Sequence, residues 1–594
     1  MKYSDHIAIW LKDLGYEYFY FVGGGNIMHL TESLDRHLTA IPVIHEVAAV
    51  IAAEYHNQIA GSEKALALVT AGPGITNTAT GLAGAFLESR FVLVIGGQVK
   101  TEDLSNGSVR QNGIQEIDGI SFCQSITSYS VRVESPIDKQ AFANYALAKV
   151  NARKAPVFLE IPLDVQAHNY ESNAFDIVPF EKKALEINDL DAFDSLTQLL
   201  EDSKRPVFLL GAGVSKVAAA ELEVYAHEYS IPIATTWNAA DQIPHDSAVY
   251  IGRPNTWGQR SSNILIQQAD LVICLGTRLG LQQTGFNWKS FVPNGKLALI
   301  ELDASELQKG HPVIDLPVLG NCNDYIQKIA AYTLNQSFEE WLIFCQKVRG
   351  AIPLVEEGVN QIFDGFIAPQ SFVAELSEHM TESDVLVPCS SGSAFTTAMQ
   401  CFQQKRGQRI ITNKGLASMG YGLSGSIGAA LASGKRTILL EGDGGFSQNI
   451  QELGTVAAQN LNIKIFIFDD AGHASIRMTQ KNYFSGRYIG CDIDTNLGLP
   501  NWDKVGAVWG LDSMRLFNVE EMQMPDFKQL FEKEGPAIFI LSICPDQTYF
   551  PKISSRLLDN GSMESNPLHD MSPSLSAETT KMVFRYIDPP IARS

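Results

Sequence analysis

Cysteine is scarce and scattered. The eight among 594 residues, at 123, 274, 322, 345, 389, 401, 491 and 544, form no CxxC pair and no dense framework. A disulfide scaffold is thereby excluded, and the set reads as reduced core thiols. Positive charge is also in deficit: 45 Lys and Arg against 66 Asp and Glu leave a formal charge of -21. A field of that sign repels phosphate backbones, which excludes nucleic acid and anionic membrane surfaces as partners. No uninterrupted apolar run reaches about 18 residues, so no membrane span is expected. The opening stretch MKYSDHIAIWLKDLGYEYFYFVGGG scatters charges among its apolar positions and lacks the pattern of a signal peptide, which makes the cytoplasm the expected location. Short repeats are absent as well.

What is present is an ordinary soluble composition, 45% hydrophobic and 19% charged, on a chain too long for one core. From Tyr18 to Ile161 apolar runs (YFYFVGG, ALALVTAGPG, FVLVIGG) alternate with helical periods (HEVAAVIAAEYHNQIAG, GLAGAFLES). Short apolar strands separated by helices predict a parallel sheet covered on both faces. A polar, acidic stretch over 169–191 reads as a linker. A second unit follows with strands at PVFLLGAGV, PIATT, LVICLG and KLALIELD, and a third with DVLVPC, RTILLEGDGG and IKIFIFDD. The expectation is an α/β protein of three doubly wound parallel-sheet domains, 1–168, 190–333 and 365–550, with 551–594 as a tail or lid. Domains one and three are candidates for a shared fold.

The sharpest local signal is Glu441-Gly442-Asp443-Gly444-Gly445-Phe446, directly after the strand RTILL and ahead of a helix. A glycine-flanked aspartate at a strand's C-terminal end lets the backbone approach a diphosphate while the carboxylate holds a hard cation such as magnesium. Twenty-seven positions after Asp443 the next strand ends in Asp469-Asp470-Ala471-Gly472. Neighbouring parallel strands would then bring oxygen ligands to one sheet edge, where open α/β sheets bind ligands. Taken alone, each segment is also a plain structural turn. Ser391-Gly392-Ser393, between the strand LVPC and a helix, offers amide and hydroxyl donors for an anion, or an ordinary serine cap. In domain one, Glu46 opens a strongly apolar helix, where an acid is costly to bury without a role, although a glutamate there also suits the helix dipole.

GDGGFSQNIQEL followed by FDDAGHASI resembles the signature of thiamine-diphosphate enzymes, with two aspartates where the family usually has two asparagines. The resemblance implies that magnesium is bound by Asp443, Asp470 and the Gly472 carbonyl, and that the diphosphate lies along Gly442, Gly444, Gly445, Ser391, Gly392 and Ser393; His473 nearby reads as a proton donor or as a structural histidine. It further implies that Glu46, in its HE context, activates the cofactor by bonding the aminopyrimidine ring. LVTAGPGITN is similar to the family's SGPGATN loop at Gly72, Pro73, Gly74 and Asn77. KGLASMGYGLSGSIGAAL resembles a segment of acetohydroxyacid synthases whose methionine, here Met419, wedges between the cofactor rings. Likewise Phe21-Val22-Gly23-Gly24-Gly25-Asn26 resembles a turn in which Gly25 leaves space beside the reactive carbon, and Gln115 matches a glutamine next to bound pyruvate. In the second unit Gly211-Ala212-Gly213, Thr236-Trp237 and Gly276-Thr277-Arg278 are similar to the flavin loops of those synthases, which implies a non-redox FAD; a vestigial nucleotide domain with structural turns is the competing reading. The family pattern places the active site between subunits of a homodimer or tetramer.

The implied activity is decarboxylation of pyruvate or a related 2-keto acid and transfer of the acyl carbanion to a carbonyl acceptor, as in acetolactate synthases. Paired histidines of the kind pyruvate decarboxylases use are missing around VRQNGIQEID, which favours ligation over aldehyde release. Lys481 stands where branched-chain synthases carry an acceptor-selecting tryptophan, so a polar or anionic acceptor is expected. SIRMTQKNYFSGR and PLHDMSP also resemble enzymes that pass an acetyl unit to a keto sugar nucleotide. A 2-keto acid decarboxylase without ligation and a silent nucleotide-binding regulatory subunit compete with these readings; intact Glu46, Asp443 and Met419 weigh against the silent subunit.

Overall fold

The computed structural model describes residues 1–146, 154–171, 190–557 and 563–590; the linker expected over 169–191 therefore falls, from 172 to 189, outside the described residues. Three sheets of six parallel strands follow one another along the chain. The first contains β1 (Tyr18–Phe21), β2 (Thr39–Pro42), β3 (Ala65–Val69), β4 (Leu93–Gln98), β5 (Tyr129–Arg132) and β6 (Val157–Pro162), in the order β2-β1-β3-β4-β6-β5. The second contains β7 (Pro206–Leu210), β8 (Ile233–Thr235), β9 (Tyr250–Gly252), β10 (Leu271–Leu275), β11 (Lys296–Glu301) and β12 (Leu316–Leu319). Its order, β12-β11-β10-β7-β8-β9, is that of a dinucleotide-binding sheet with its switch point between β7 and β10. The third contains β13 (Val385–Val387), β14 (Arg409–Ile410), β15 (Thr437–Gly442), β16 (Ile463–Asp469), β17 (Asp512–Leu516) and β18 (Ala537–Ser542), ordered β14-β13-β15-β16-β18-β17. Strand for strand, the first and third sheets have the same topology.

Strands buried on both faces explain the near-continuous apolar runs of the sequence, since helices cover each side of a parallel sheet. The helix Glu46–Ala60 is buried from Glu46 to Asn57, and its run from Val47 to Ala53 is apolar all round, as a helix with no solvent face must be; it stops at Gly61, whose left-handed φ of 73° suits a glycine. Its partner is the helix Tyr421–Ser433 of the third domain. A Cβ on Gly428 would lie 2.0 Å from the Ala52 carbonyl oxygen, and one on Gly425 2.6 Å from the Tyr55 ring. The glycines of YGLSGSIGAAL thus let two backbones approach more closely than side chains allow, and one apolar core runs through domains one and three.

The described residues of the last segment pack mainly on the central domain. Leu568, Met571 and Val583 enter the core of the central domain, and Arg260 Nη1 donates to the Pro573 carbonyl at 2.5 Å. Gln268 Nε2 donates to the Val583 carbonyl at 2.9 Å, while its Oε1 accepts from the amides of Arg585 and Tyr586. The segment is a strap on domain two. All eight cysteines are unpaired and buried, and among the described residues no helix is long and apolar enough to cross a membrane.

Because Gly428 meets backbone rather than a flexible side chain, Gly428→Ala should destabilise the helix pair by about 1–3 kcal/mol, the usual effect of overpacking. A lowered thermal midpoint in scanning calorimetry is the expected result.

Candidate active site

Three adjacent strands of the third sheet, β13, β15 and β16, deliver the predicted anchor residues to one edge. Gly442 pairs with Phe468 across β15 and β16, so Asp443 and Asp470 emerge beside each other. Asp443 is fully buried; its Oδ1 accepts from the Gly444 amide at 2.6 Å and its Oδ2 from the Gly472 amide at 3.0 Å. The same carboxylate therefore ties both motif turns together. Burial first, and the neighbouring Asp470 charge second, push the Asp443 pKa well above the usual carboxylate range. Asp470 is pushed up to about 7 by burial, partly countered by Arg477.

Two buried carboxyls that resist ionisation side by side are the donor set a hard divalent cation relieves. Among the described residues no group of three or more His, Cys, Asp or Glu side chains surrounds a metal position. A cation here would therefore take two carboxylates and the Gly472 carbonyl from the protein and the rest of its oxygens from a diphosphate. The residues fit that ligand. Ser391 is the N-cap of the helix Gly392–Cys401 and no side chain caps it, which leaves the first amides of the helix to an outside acceptor. Gly392, at φ +83°, and Gly442 face open space, and Arg477 Nη1 is buried with no hydrogen-bond partner.

The doubled aspartate finds its explanation in two arginines. Asp469 Oδ2 accepts from Arg515 Nη1 at 2.8 Å, and Asp470 Oδ1 from Arg477 Nη2 at 3.2 Å. Each extra negative charge thus has its own guanidinium, and the charge at 469 is answered away from the cation position. Tyr549 adds its hydroxyl to Asp470 Oδ2 at 3.4 Å. Arg515 and Tyr549 carried no motif of their own, and Arg477 lies in SIRMTQKNYFSGR without a role assigned there; only the unusual Asp-Asp pair signalled that counter-charges were needed. His473 lies against Gly444, where a Cβ would come within 2.3 Å of its Nδ1, and burial together with Arg477 lowers its pKa, which favours the neutral ring. Lys481 is exposed on the last turn of the helix Ala474–Tyr483.

In domain one the adjacent strands β2, β1 and β3 bring Glu46, Gly25 and the Gly72-Pro73-Gly74 turn to a common edge. Glu46 is the first residue of its helix and is buried. Asn77 Nδ2 donates to Glu46 Oε2 at 2.9 Å, so the asparagine of the turn orients the acid. Gln115 reaches the turn by its backbone: a Cβ on Gly72, at φ +64°, would lie 2.4 Å from the Gln115 carbonyl oxygen. Gly25 faces open space. From domain three, buried Glu452 Oε1 accepts from the amides of Ile44 at 3.2 Å and His45 at 3.0 Å, holding the chain just ahead of Glu46. Met419 is 39% exposed beside Gln448, whose Nε2 lies 3.7 Å from its sulfur.

The loops expected to bind flavin do converge at the switch point, where the Gly213 amide donates to the Gly276 carbonyl at 3.0 Å. Two of the expected side chains serve domain contacts instead. Trp237 is buried edge-to-face on Phe395, with Lys414 over its ring, and Arg278 Nη2 donates to the Leu87 carbonyl of domain one at 2.6 Å. Thr236 is buried, whereas Ala212 is exposed.

Three family models match the chain in series: the N-terminal TPP binding domain of thiamine pyrophosphate enzymes over residues 1–122, their central domain over 193–329 and their C-terminal TPP binding domain over 390–541. Together these cover more than half of the sequence, and the chain belongs to the thiamine pyrophosphate enzymes. Among its relatives, a probable acetolactate synthase large subunit of Methanocaldococcus jannaschii is 27% identical over 88% of this chain and 89% of its own length. The acetolactate synthase large subunit of Lactococcus lactis subsp. lactis is 26% identical over 92% and 93%, and the acetolactate synthase isozyme 1 large subunit of Escherichia coli K12 26% over 93% and 95%.

If Asp443 holds the cation, Mg2+ with inorganic pyrophosphate should raise the thermal midpoint of the protein, and Asp443→Asn should abolish that rise. Differential scanning fluorimetry at fixed pH distinguishes the outcomes.

Proposed function

We propose that the chain is a thiamine-diphosphate-dependent carboligase of acetolactate synthase type, which decarboxylates pyruvate or a close relative and joins the acyl unit to a second carbonyl compound, the acceptor being a 2-keto acid. The carrying observation is the anchor at three neighbouring strand ends, with an uncapped helix, Asp443 and Asp470 in one row. The names of the similar proteins, spanning almost their whole lengths, support the ligation step.

Magnesium would be held by Asp443, Asp470 and the Gly472 carbonyl, and the diphosphate by the Gly392 helix N-terminus and the Gly442–Gly445 backbone. Thiamine diphosphate, when bound, supplies the carbon nucleophile and the electron sink for loss of carbon dioxide. The protein's part is orientation and proton control. Asn77 holds Glu46 Oε2, and Oε1 would face the aminopyrimidine ring, where the carboxyl would hold a proton. Met419 would support the rings from the domain-three side, the exposed Gln115 and the space beside Gly25 would receive the substrate, and neutral His473 would offer an N–H near the anchor. Lys481, a cation on an exposed helix end, would favour an anionic acceptor. Flavin is a weaker fit: the glycine loops of domain two suit a dinucleotide, but Trp237 and Arg278 are engaged elsewhere, and no step is assigned to it. The visible absorption of the purified protein tests for it.

A homodimer or tetramer is part of the proposal, supported by what the motif segments leave in water. Ile114 beside Gln115 is 85% exposed, and Ile44, Met419 and Ile476 are exposed too, all on the segments that carry the proposed site. Apolar side chains gathered around catalytic segments mark a surface that a second subunit covers. Sedimentation equilibrium should give at least twice the mass of the 65.1 kDa chain.

Glu46→Gln should lower carbon dioxide release from pyruvate by roughly a hundredfold or more, the usual contribution of a general acid–base group. Thiamine diphosphate binding with Mg2+ should persist in that variant, and product analysis of the unaltered protein with pyruvate should give a ligated hydroxyketo acid rather than free aldehyde. Unchanged release would remove Glu46 from the mechanism.

A further inference from the structure

The loop 413–420, which carries Met419, has little regular structure of its own, and domain one holds it at three points. Arg90 Nη2 donates to the Thr412 carbonyl at 2.7 Å, just ahead of the loop. Buried Glu54 accepts from Asn413 Nδ2 at 3.2 Å and from the hydroxyl of Tyr421, just beyond it. Glu88, at the end of the helix Ala79–Leu87, accepts from the Gly415 amide in the middle of the loop at 2.5 Å. Its second oxygen accepts from Asn238 Nδ2 of the central domain at 2.6 Å. Gly415 is pressed against this point: a Cβ there would lie 3.0 Å from Leu87 Cβ and 3.3 Å from Glu88 Oε1. Two residues on, Ala417 takes a left-handed φ of +57°, a conformation an alanine keeps only when its surroundings impose it.

Adhesion of the domains does not need Glu88. The glycine-lined helix pair and the buried Arg90–Glu54 ion pair, 2.8 Å between Nη1 and Oε1, already join domains one and three. Glu88 instead directs one buried carboxylate to two amide donors, one in the Met419 loop and one in domain two. Hydrogen bonds to a charged acceptor are roughly twice as strong as neutral ones, and losing this acceptor would leave both donors without a partner.

We propose that Glu88 is a positioning residue for the coenzyme: it sets the height and curvature of the loop that presents Met419 to the rings, and through Asn238 it ties that loop to the central domain. The proposal rests on the thiamine diphosphate reading of the site. Two ligands separate its parts, since inorganic pyrophosphate engages only the anchor whereas thiamine diphosphate also needs the ring support.

Both are titrated calorimetrically, with excess Mg2+, into the full-length protein and its Glu88→Ala, Met419→Ala and doubly substituted forms. Glu88→Ala should weaken thiamine diphosphate about tenfold and leave pyrophosphate within about twofold. Met419→Ala should do the same, and the double variant should be little worse than either single one, because both changes act through one loop. In ligand-free Glu88→Ala, amides from 415 to 420 should exchange with deuterium faster; Glu88→Gln, whose side-chain oxygen still accepts from Gly415, should recover most of the affinity and protection. Equal loss of both ligands, additive effects in the double variant, or unchanged exchange over 415–420 would overturn the role of Glu88. Should the unsubstituted protein bind pyrophosphate with Mg2+ but not thiamine diphosphate, or bind neither, the reading of the site falls and the proposal with it.

Discussion

Everything in this molecule that concerns the coenzyme depends on how closely two helices approach, Glu46–Ala60 from the first domain and Tyr421–Ser433 from the third. Gly425 and Gly428 remove the side chains that would hold them apart, and the two domains share a single apolar interior as a result. Glu46 stands at the start of one of these helices and Met419 two residues before the other. The packing therefore sets the position of an acid and of a hydrophobic support at once, while polar bonds across the same interface, Glu452 to the His45 amide and Glu54 to Tyr421, trim the ends. Close-packed interiors transmit such constraints because they cannot deform smoothly.

Charge is handled just as locally. The chain is strongly acidic overall, yet its anchor must accept a polyanion. Nearby groups answer the conflict: uncapped helix amides, Asp443 and Asp470 placed where they would hold a cation, and arginines that answer Asp469 and Asp470 individually. A global field acts over the Debye length and is screened by salt, whereas these contacts act at hydrogen-bond distance inside a poorly solvated edge, where they dominate.

The architecture was legible in the sequence because parallel strands buried on both faces write themselves as apolar runs, and because the strand ends carry glycine and aspartate in fixed order. Gly442, Asp443 and Asp470 could be read as one site from the spacing of two consecutive strands. What could not be read were partners remote in sequence and free of any motif. Arg515 and Tyr549 reach the site through tertiary folding alone. Trp237 and Arg278 follow strands where nucleotide contacts are expected, and what the sequence did not show is that domains two, one and three meet there, with Trp237 packed on Phe395 and Arg278 bonded to the Leu87 carbonyl. The final segment, expected as a tail or lid, had no periodicity to reveal that Leu568, Met571 and Val583 complete the central core.

That strap bears on how the protein is made. The central sheet is complete by Leu319, but the helix Arg260–Gln267 acquires its partners at Pro573, and the adjacent Gln268 acquires its own at Val583, only after the whole third domain has been synthesised. Contacts so distant along the chain close late and slow assembly. On the ribosome, the domain that stands second in sequence would be the last to mature, with its apolar flank bare while the third domain is made.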